Sequence, residues 1–161
     1  MPNRAQKNHA DNFRPEAKLL IPLLLRHGID VCIVTFSDHE DVAGHIGGEV
    51  LVRRILGMNF HPTVAKTVRI AAGHPESINE VRRSAGKAPV PFNKHWHFRK
   101  LFPNFHRAVA GSIMFFDDTE KNVVAAEAEG IRTTQVSNAG FVWGDWNRLV
   151  NAIQSSAYTQ Q

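Results

Sequence analysis

The sequence predicts an α/β fold, a parallel sheet covered by helices on both faces. Three observations carry this. Segments with strand character alternate with segments of helical spacing. The strand segments are apolar without polar alternation, as in strands buried on both faces. A chain of 161 residues with 43% hydrophobic content can fill a single core of ordinary size, which excludes collagen, coiled coil and disulfide scaffold.

The elements follow in order. Residues 1–13 are polar and aperiodic and read as a flexible arm, residues 14–155 as a single domain, and 156–161 as a tail. EAKLLIPLLLRH reads as a helix with Pro15 in its first turn, a kink at Pro22 and a stop at Gly28. IDVCIVTF is rich in β-branched residues and predicts a strand buried on both faces. EVLVRRIL has helical spacing, with Gly57 as its terminator. TVRIAA, residues 67–72, predicts a second strand. Residues 73–93, with Gly73, Pro75, Gly86, Pro89 and Pro91, read as a long loop or insertion overhanging a site. HWHFRKLFPNFHRAVA reads as helical but divided at Pro103, and SIMFF as a buried strand ending at Asp117 and Asp118. TEKNVVAAEAEG predicts a helix capped at Thr119 and stopped at Gly130, followed by a strand, IRTTQV, and a helix, WGDWNRLVNAI.

Composition narrows the partners. Nineteen Lys and Arg against fifteen Asp and Glu leave a net charge of +4, with nine histidines able to add charge as pH falls, which suits an anionic ligand. The basic residues are dispersed and lack aromatic interleaving, so nucleic acid is not the expected partner. No apolar run approaches the ~18 residues of a membrane span, and the opening MPNRAQKNHADN lacks a signal peptide's apolar segment, so a cytoplasmic location is expected. Cys32 cannot form an internal disulfide and is expected to be a reduced, buried small hydrophobe.

Parallel sheets bind ligands at the carboxyl ends of their strands. The polar residues at those ends are Thr35 and Ser37 after the first strand and Asp117 and Asp118 after SIMFF, joined by Lys94 ahead of the helix that feeds that strand. A hydroxyl, an ammonium and two carboxylates describe a magnesium-assisted phosphate site: carboxylates hold a hard cation, while cation and lysine offset phosphoryl charge.

These residues carry a resemblance to a family. FFDDTEKNVVAAEAEGI resembles the fourth motif of the haloacid dehalogenase-like (HAD) hydrolases, VCIVTFSD the second, and Lys94 in NKHWHFRKL the third-motif lysine. The magnesium-dependent phosphatase subgroup is the most similar, over residues 14–153. The resemblance implies a Rossmann-like sheet and magnesium-dependent phosphomonoester hydrolysis through an aspartyl-phosphate. Carried over, Thr35 binds the phosphoryl oxygen, with Ser37 as the alternative hydroxyl. Lys94 steadies nucleophile and phosphate, and Asp117 with Asp118 binds Mg2+. The substrate would be a phosphorylated small molecule or a phosphoprotein.

The departure is at the first motif. The family opens with a central strand ending in Asp-x-Asp, whose first aspartate is the nucleophile, and the sequence contains no such motif; Asp11 in HADNF follows no apolar strand. Without that strand, the second-motif and fourth-motif strands must pair directly or leave backbone groups unpaired. The chain is therefore read as a piece of a longer phosphatase, inactive as it stands, with a non-catalytic binding module as the alternative. A phosphoacceptor receiver domain fits less well because its acidic pair comes first. His95 and His97, two apart on a helix, do not share a face for zinc, and GHIGG is too short for a dinucleotide fingerprint.

Overall fold

The computed structural model describes residues 14–36, 47–137 and 140–158. They form two compact units, one up to Pro103 and one from Asn104, where the sequence predicts one domain over 14–155. The arm over 1–13 lies outside the described residues, as do Ser37, Asp38, Glu40 and Asp41.

The first unit contains α1 (Pro15–Arg26), β1 (Cys32–Thr35), α2 (Gly48–Asn59), α3 (Pro62–Thr67), β2 (Arg69–Ala72), α4 (Pro75–Ser84) and α5 (His95–Leu101). β1 and β2 pair in parallel, Cys32 against Arg69 through Thr35 against Ala72. Ile21, Leu56, Ala65, Val68 and Ile70 form the core, so α1, α2 and α3 all pack with β2 through apolar side chains. Arg53 supports this arrangement by donating from Nη1 to the carbonyls of Ala65 and Val68, at 2.9 and 2.6 Å. Those groups terminate α3, where a helix has no acceptor bonds of its own to make.

The second unit contains α6 (Arg107–Ala110), β3 (Met114–Asp117), α7 (Glu120–Ala128), β4 (Arg132–Gln135) and α8 (Trp143–Tyr158). β3 and β4 are also parallel, Met114 against Arg132 through Asp117 against Gln135. Phe115, Val123, Ala126, Ile131 and Val136 are buried between this pair and its helices. At the start of α8, Asp145 accepts from the Val142 amide at 2.8 Å and pairs with Arg148, which satisfies a carboxylate only 2% exposed.

The mixed α/β character and the parallel pairing match the sequence expectation, as do the glycine stops of α1 and α7. At each, the residue after the cap is a glycine at positive φ, Gly28 at 73° and Gly130 at 87°. Its amide and the next one bond back to the last turn, Gly130 to Glu127 at 2.8 Å and Ile131 to Ala126 at 3.1 Å, a closure that a Cβ would strain.

Four expectations are corrected. The strands are four residues long, and β1 is half-buried along its length, because each described sheet has only two strands. Cys32 is accordingly half-buried; desolvation raises its thiol pKa, partly offset by Arg69, so it stays protonated. Gly57 does not stop α2, which runs on to Asn59 with nothing within 4 Å of where a Cβ would stand. Residues 73–93 are not a structureless loop: α4 occupies nearly half of them, with Pro75 in its first turn. α3 is a helix the sequence reading omits, and it too begins at a proline.

Candidate functional site

In the first unit the site lies at the carboxyl ends of β1 and β2. Thr35 is the last residue of β1, and its carbonyl accepts from the Gly73 amide at 3.2 Å just past β2. Gly73 has φ 148°, and a Cβ there would stand 3.1 Å from Ile78 Cδ1, so this crossing of backbone and α4 requires glycine.

His97 closes the strand ends from α5. Its Nε2 lies 3.0 Å from both the Thr35 and the Gly73 carbonyl. Two carbonyls can only accept, so Nε2 carries the proton and donates to both. The side chain is fully buried, and Nδ1 has no hydrogen-bond partner among the described residues. A second proton would have no acceptor. Burial, and then the charge of Lys94, lower the imidazole pKa to about 4, so His97 is neutral at physiological pH.

Lys94, at the N-terminal edge of α5, is 5% exposed. Its Nζ lies 3.6 Å from the centre of the Phe36 ring, directly after Thr35. Phe36 is in edge contact with His74, and His74 with Phe92, at centroid distances of 5.9 and 6.0 Å. An ammonium at an aromatic face in a low-dielectric setting is a strong, local positive charge, partly stabilised by the ring quadrupole. Thr35 and Lys94 are therefore brought to one strand end, while Asp117 and Asp118 belong to the second unit. His97, which fixes that end, was considered in the sequence only as a metal ligand. The signal that finds it is the buried register of Lys94, His97, Phe98 and Leu101 along α5.

In the second unit, Asp117 ends β3 and Asp118 follows it. Asp117 Oδ1 accepts from the Thr119 amide at 2.8 Å and from Asn122 Nδ2 at 3.0 Å. Asn122 is buried on the first turn of α7, so the carboxylate is held in one orientation and half-buried. Asp118 is exposed, with Oδ1 3.2 Å from Thr119 Oγ1.

The two carboxylates fit Mg2+ in donor type: both offer hard oxygens, and the second oxygen of each accepts no hydrogen bond among the described residues. They do not fit in number, since the described residues contain no group of three or more His, Cys, Asp or Glu placed for a metal. An ion held there would keep most of its water. No helix among the described residues is long and apolar enough to cross a membrane. No protein-family model matches the chain, and no curated protein or solved structure matches it.

Proposed function

We propose that this chain carries the phosphate-binding and magnesium-binding parts of a HAD-like phosphatase. The observation that supports this most is Lys94, a buried ammonium at the carboxyl end of a parallel strand pair, whose Nζ lies against the ring of Phe36, the residue after Thr35. A phosphate monoester brings two negative charges. Lys94 would neutralise part of that charge, and the Thr35 hydroxyl would donate to a phosphoryl oxygen. His97, neutral and fully hydrogen-bonded through Nε2, would neither give nor take a proton in the reaction; it would hold Thr35 in place. In the second unit, Asp117, oriented by Asn122, and Asp118 would hold a Mg2+ that keeps most of its water.

None of these groups is an activated nucleophile. The family's nucleophile is the first aspartate of its first motif, which the sequence does not contain, and Lys94 is positioned as a charge. The chain as it stands should therefore bind a phosphorylated small molecule or phosphoprotein without turnover. The test is phosphate release from an aryl phosphate with magnesium. It is measured for the 161-residue chain and for a version carrying an added N-terminal strand ending in Asp-x-Asp. Inactivity of the first and turnover by the second, lost on Lys94→Met, support the proposal. Inactivity of both, with phosphate binding retained, supports the non-catalytic binding module. Turnover by the 161-residue chain would overturn both readings.

A further inference from the structure

Helix α5 presents two chemically different faces. Lys94, His97, Phe98 and Leu101 are buried, whereas Arg99 and Lys100 are exposed and His95 and Trp96 half-buried. The outer face lines an open cleft of about 560 Å3, within the roughly 300–1,000 Å3 that small-molecule sites occupy. Residues 89–91 and Arg82 of α4 form its other wall.

That wall is built, not loose. The Asn79 side chain takes both backbone groups of Val90, donating to the carbonyl at 3.0 Å and accepting from the amide at 2.6 Å. Arg82 Nε donates to the Ala88 carbonyl at 2.6 Å, and the Lys87 amide to the Arg82 carbonyl at 2.8 Å. The segment is thus held against α4 before any ligand arrives, which lowers the ordering cost of binding.

The lining divides into a charged half and an apolar half. Arg82, Arg99 and Lys100 are basic side chains, and no carboxylate is among the lining residues. Arg99 is aimed by its hydrogen bond from Nε to His95 Nε2 at 2.5 Å, which leaves the terminal nitrogens of its guanidinium for another acceptor. Lys100 Nζ lies 5.2 Å from the centre of the Trp96 ring, linking the charged half to the apolar one of Trp96, Pro89, Val90 and Pro91. A bare inorganic anion would leave the apolar half wet, and a neutral ring would leave the three cations unmatched.

We propose that this cleft binds an organic phosphate that carries an aromatic ring, the class to which nucleoside diphosphates belong. Its phosphoryl oxygens lie on Arg82, Arg99 and Lys100, where guanidinium groups match phosphate geometry, and its ring lies against Trp96 and the prolines. The site is on the opposite face of α5 from Lys94 and does not depend on the phosphatase reading.

The test is calorimetric titration of the 161-residue chain with ADP, inorganic pyrophosphate, adenosine and a single-stranded ten-nucleotide DNA. ADP should bind with a Kd below about 1 mM, and pyrophosphate and adenosine each about tenfold or more weaker. Arg99→Glu with Lys100→Glu should weaken ADP at least about tenfold, a change of ~1.4 kcal/mol, at an unchanged melting temperature. The single change Lys100→Gln should weaken it in the same direction, giving a second reading should the double variant melt lower. Arg54→Glu, an exposed charge reversal on α2, should leave ADP affinity unchanged. Trp96→Leu should weaken ADP and leave pyrophosphate unaffected. ADP binding that is absent at 1 mM or insensitive to these charge changes overturns the proposal. So does pyrophosphate binding as tightly as ADP, or the oligonucleotide binding more tightly than ADP, which would make the cleft a nucleic-acid surface.

Discussion

The two strand ends of this protein are built on opposite plans. At the end of β1 and β2 the polar groups are buried: a cation against an aromatic ring and a neutral imidazole bridging two carbonyls. At the end of β3 the polar groups face outward, an aspartate steadied by Asn122 and a second one exposed. The physical reason lies in what burial does to each charge. A lone carboxylate is costly to desolvate without donors, and Asp117 obtains two. An ammonium can be buried at lower cost where its long apolar stem packs and a ring receives its charge. The first end therefore couples function to stability, and the second largely separates them.

The largest expected effect comes from breaking the first end. His97→Ala leaves the Thr35 carbonyl with one donor fewer, deprives the Gly73 carbonyl of the same bond, and opens a cavity in a fully buried position. A loss of about 3–5 kcal/mol is expected by comparison with other large-to-small core changes, measured by urea unfolding. A loss under about 1 kcal/mol would mean that the imidazole does not secure the strand ends.

Acid should act on the same residue. The folded imidazole titrates at about 4 and the unfolded one at 6.5. Between those values the unfolded chain binds a proton that the folded chain does not, so His97 lowers stability as pH falls through that window. Its contribution is constant above pH 6.5 and levels off below about 4. The loss from this one group is at most about 3 kcal/mol. His97→Gln, which keeps a donor without a titratable ring, should flatten the pH dependence of unfolding between 6.5 and 4; an unchanged slope would assign the acid response elsewhere.

The smallest effect on stability belongs to the second end. Asp118→Asn should change unfolding by less than about 0.5 kcal/mol, because the side chain is exposed. Asn122→Ala should lose about 1–2 kcal/mol, since it removes a buried donor to Asp117. Mg2+ is expected to bind no tighter than millimolar at the proposed site, since two carboxylates leave most of the shell to water, and both changes should weaken it. Micromolar Mg2+ binding in calorimetry would show that a third carboxylate participates.

The parts of the fold legible in the sequence are those with a one-residue signature. Gly28 and Gly130 mark helix ends because only a positive φ closes those turns, and Asp117 stands at a strand end because the apolar run stops there. Prolines misled the reading of 73–93. Pro75 reads in the sequence as a breaker, but a proline in the first turn of a helix gives up an amide that has no partner there, and α3 and α4 both start this way. Full burial of β1 was not legible either. An apolar run shows that a strand can be covered on both faces, not how many neighbours it has. The role of His97 has no sequence signature, because its partners are main-chain carbonyls 62 and 24 residues away.

The amide of Asn79 has a topological consequence. By taking both the N–H and the C=O of Val90, one side chain does what a neighbouring strand would do, and it fixes a point in the connection between α4 and α5. A connection pinned in this way behaves as two short loops in place of one long one, and the entropy of closing each depends only weakly on its length. Ala88 and Pro89, both exposed, lie between the closure of α4 through Gly86 and Lys87 and the pinned Val90, so length can be exchanged there at small cost to either helix. This makes the segment a natural place for insertions, and for variants that reshape the cleft while the strand ends behind it keep their geometry.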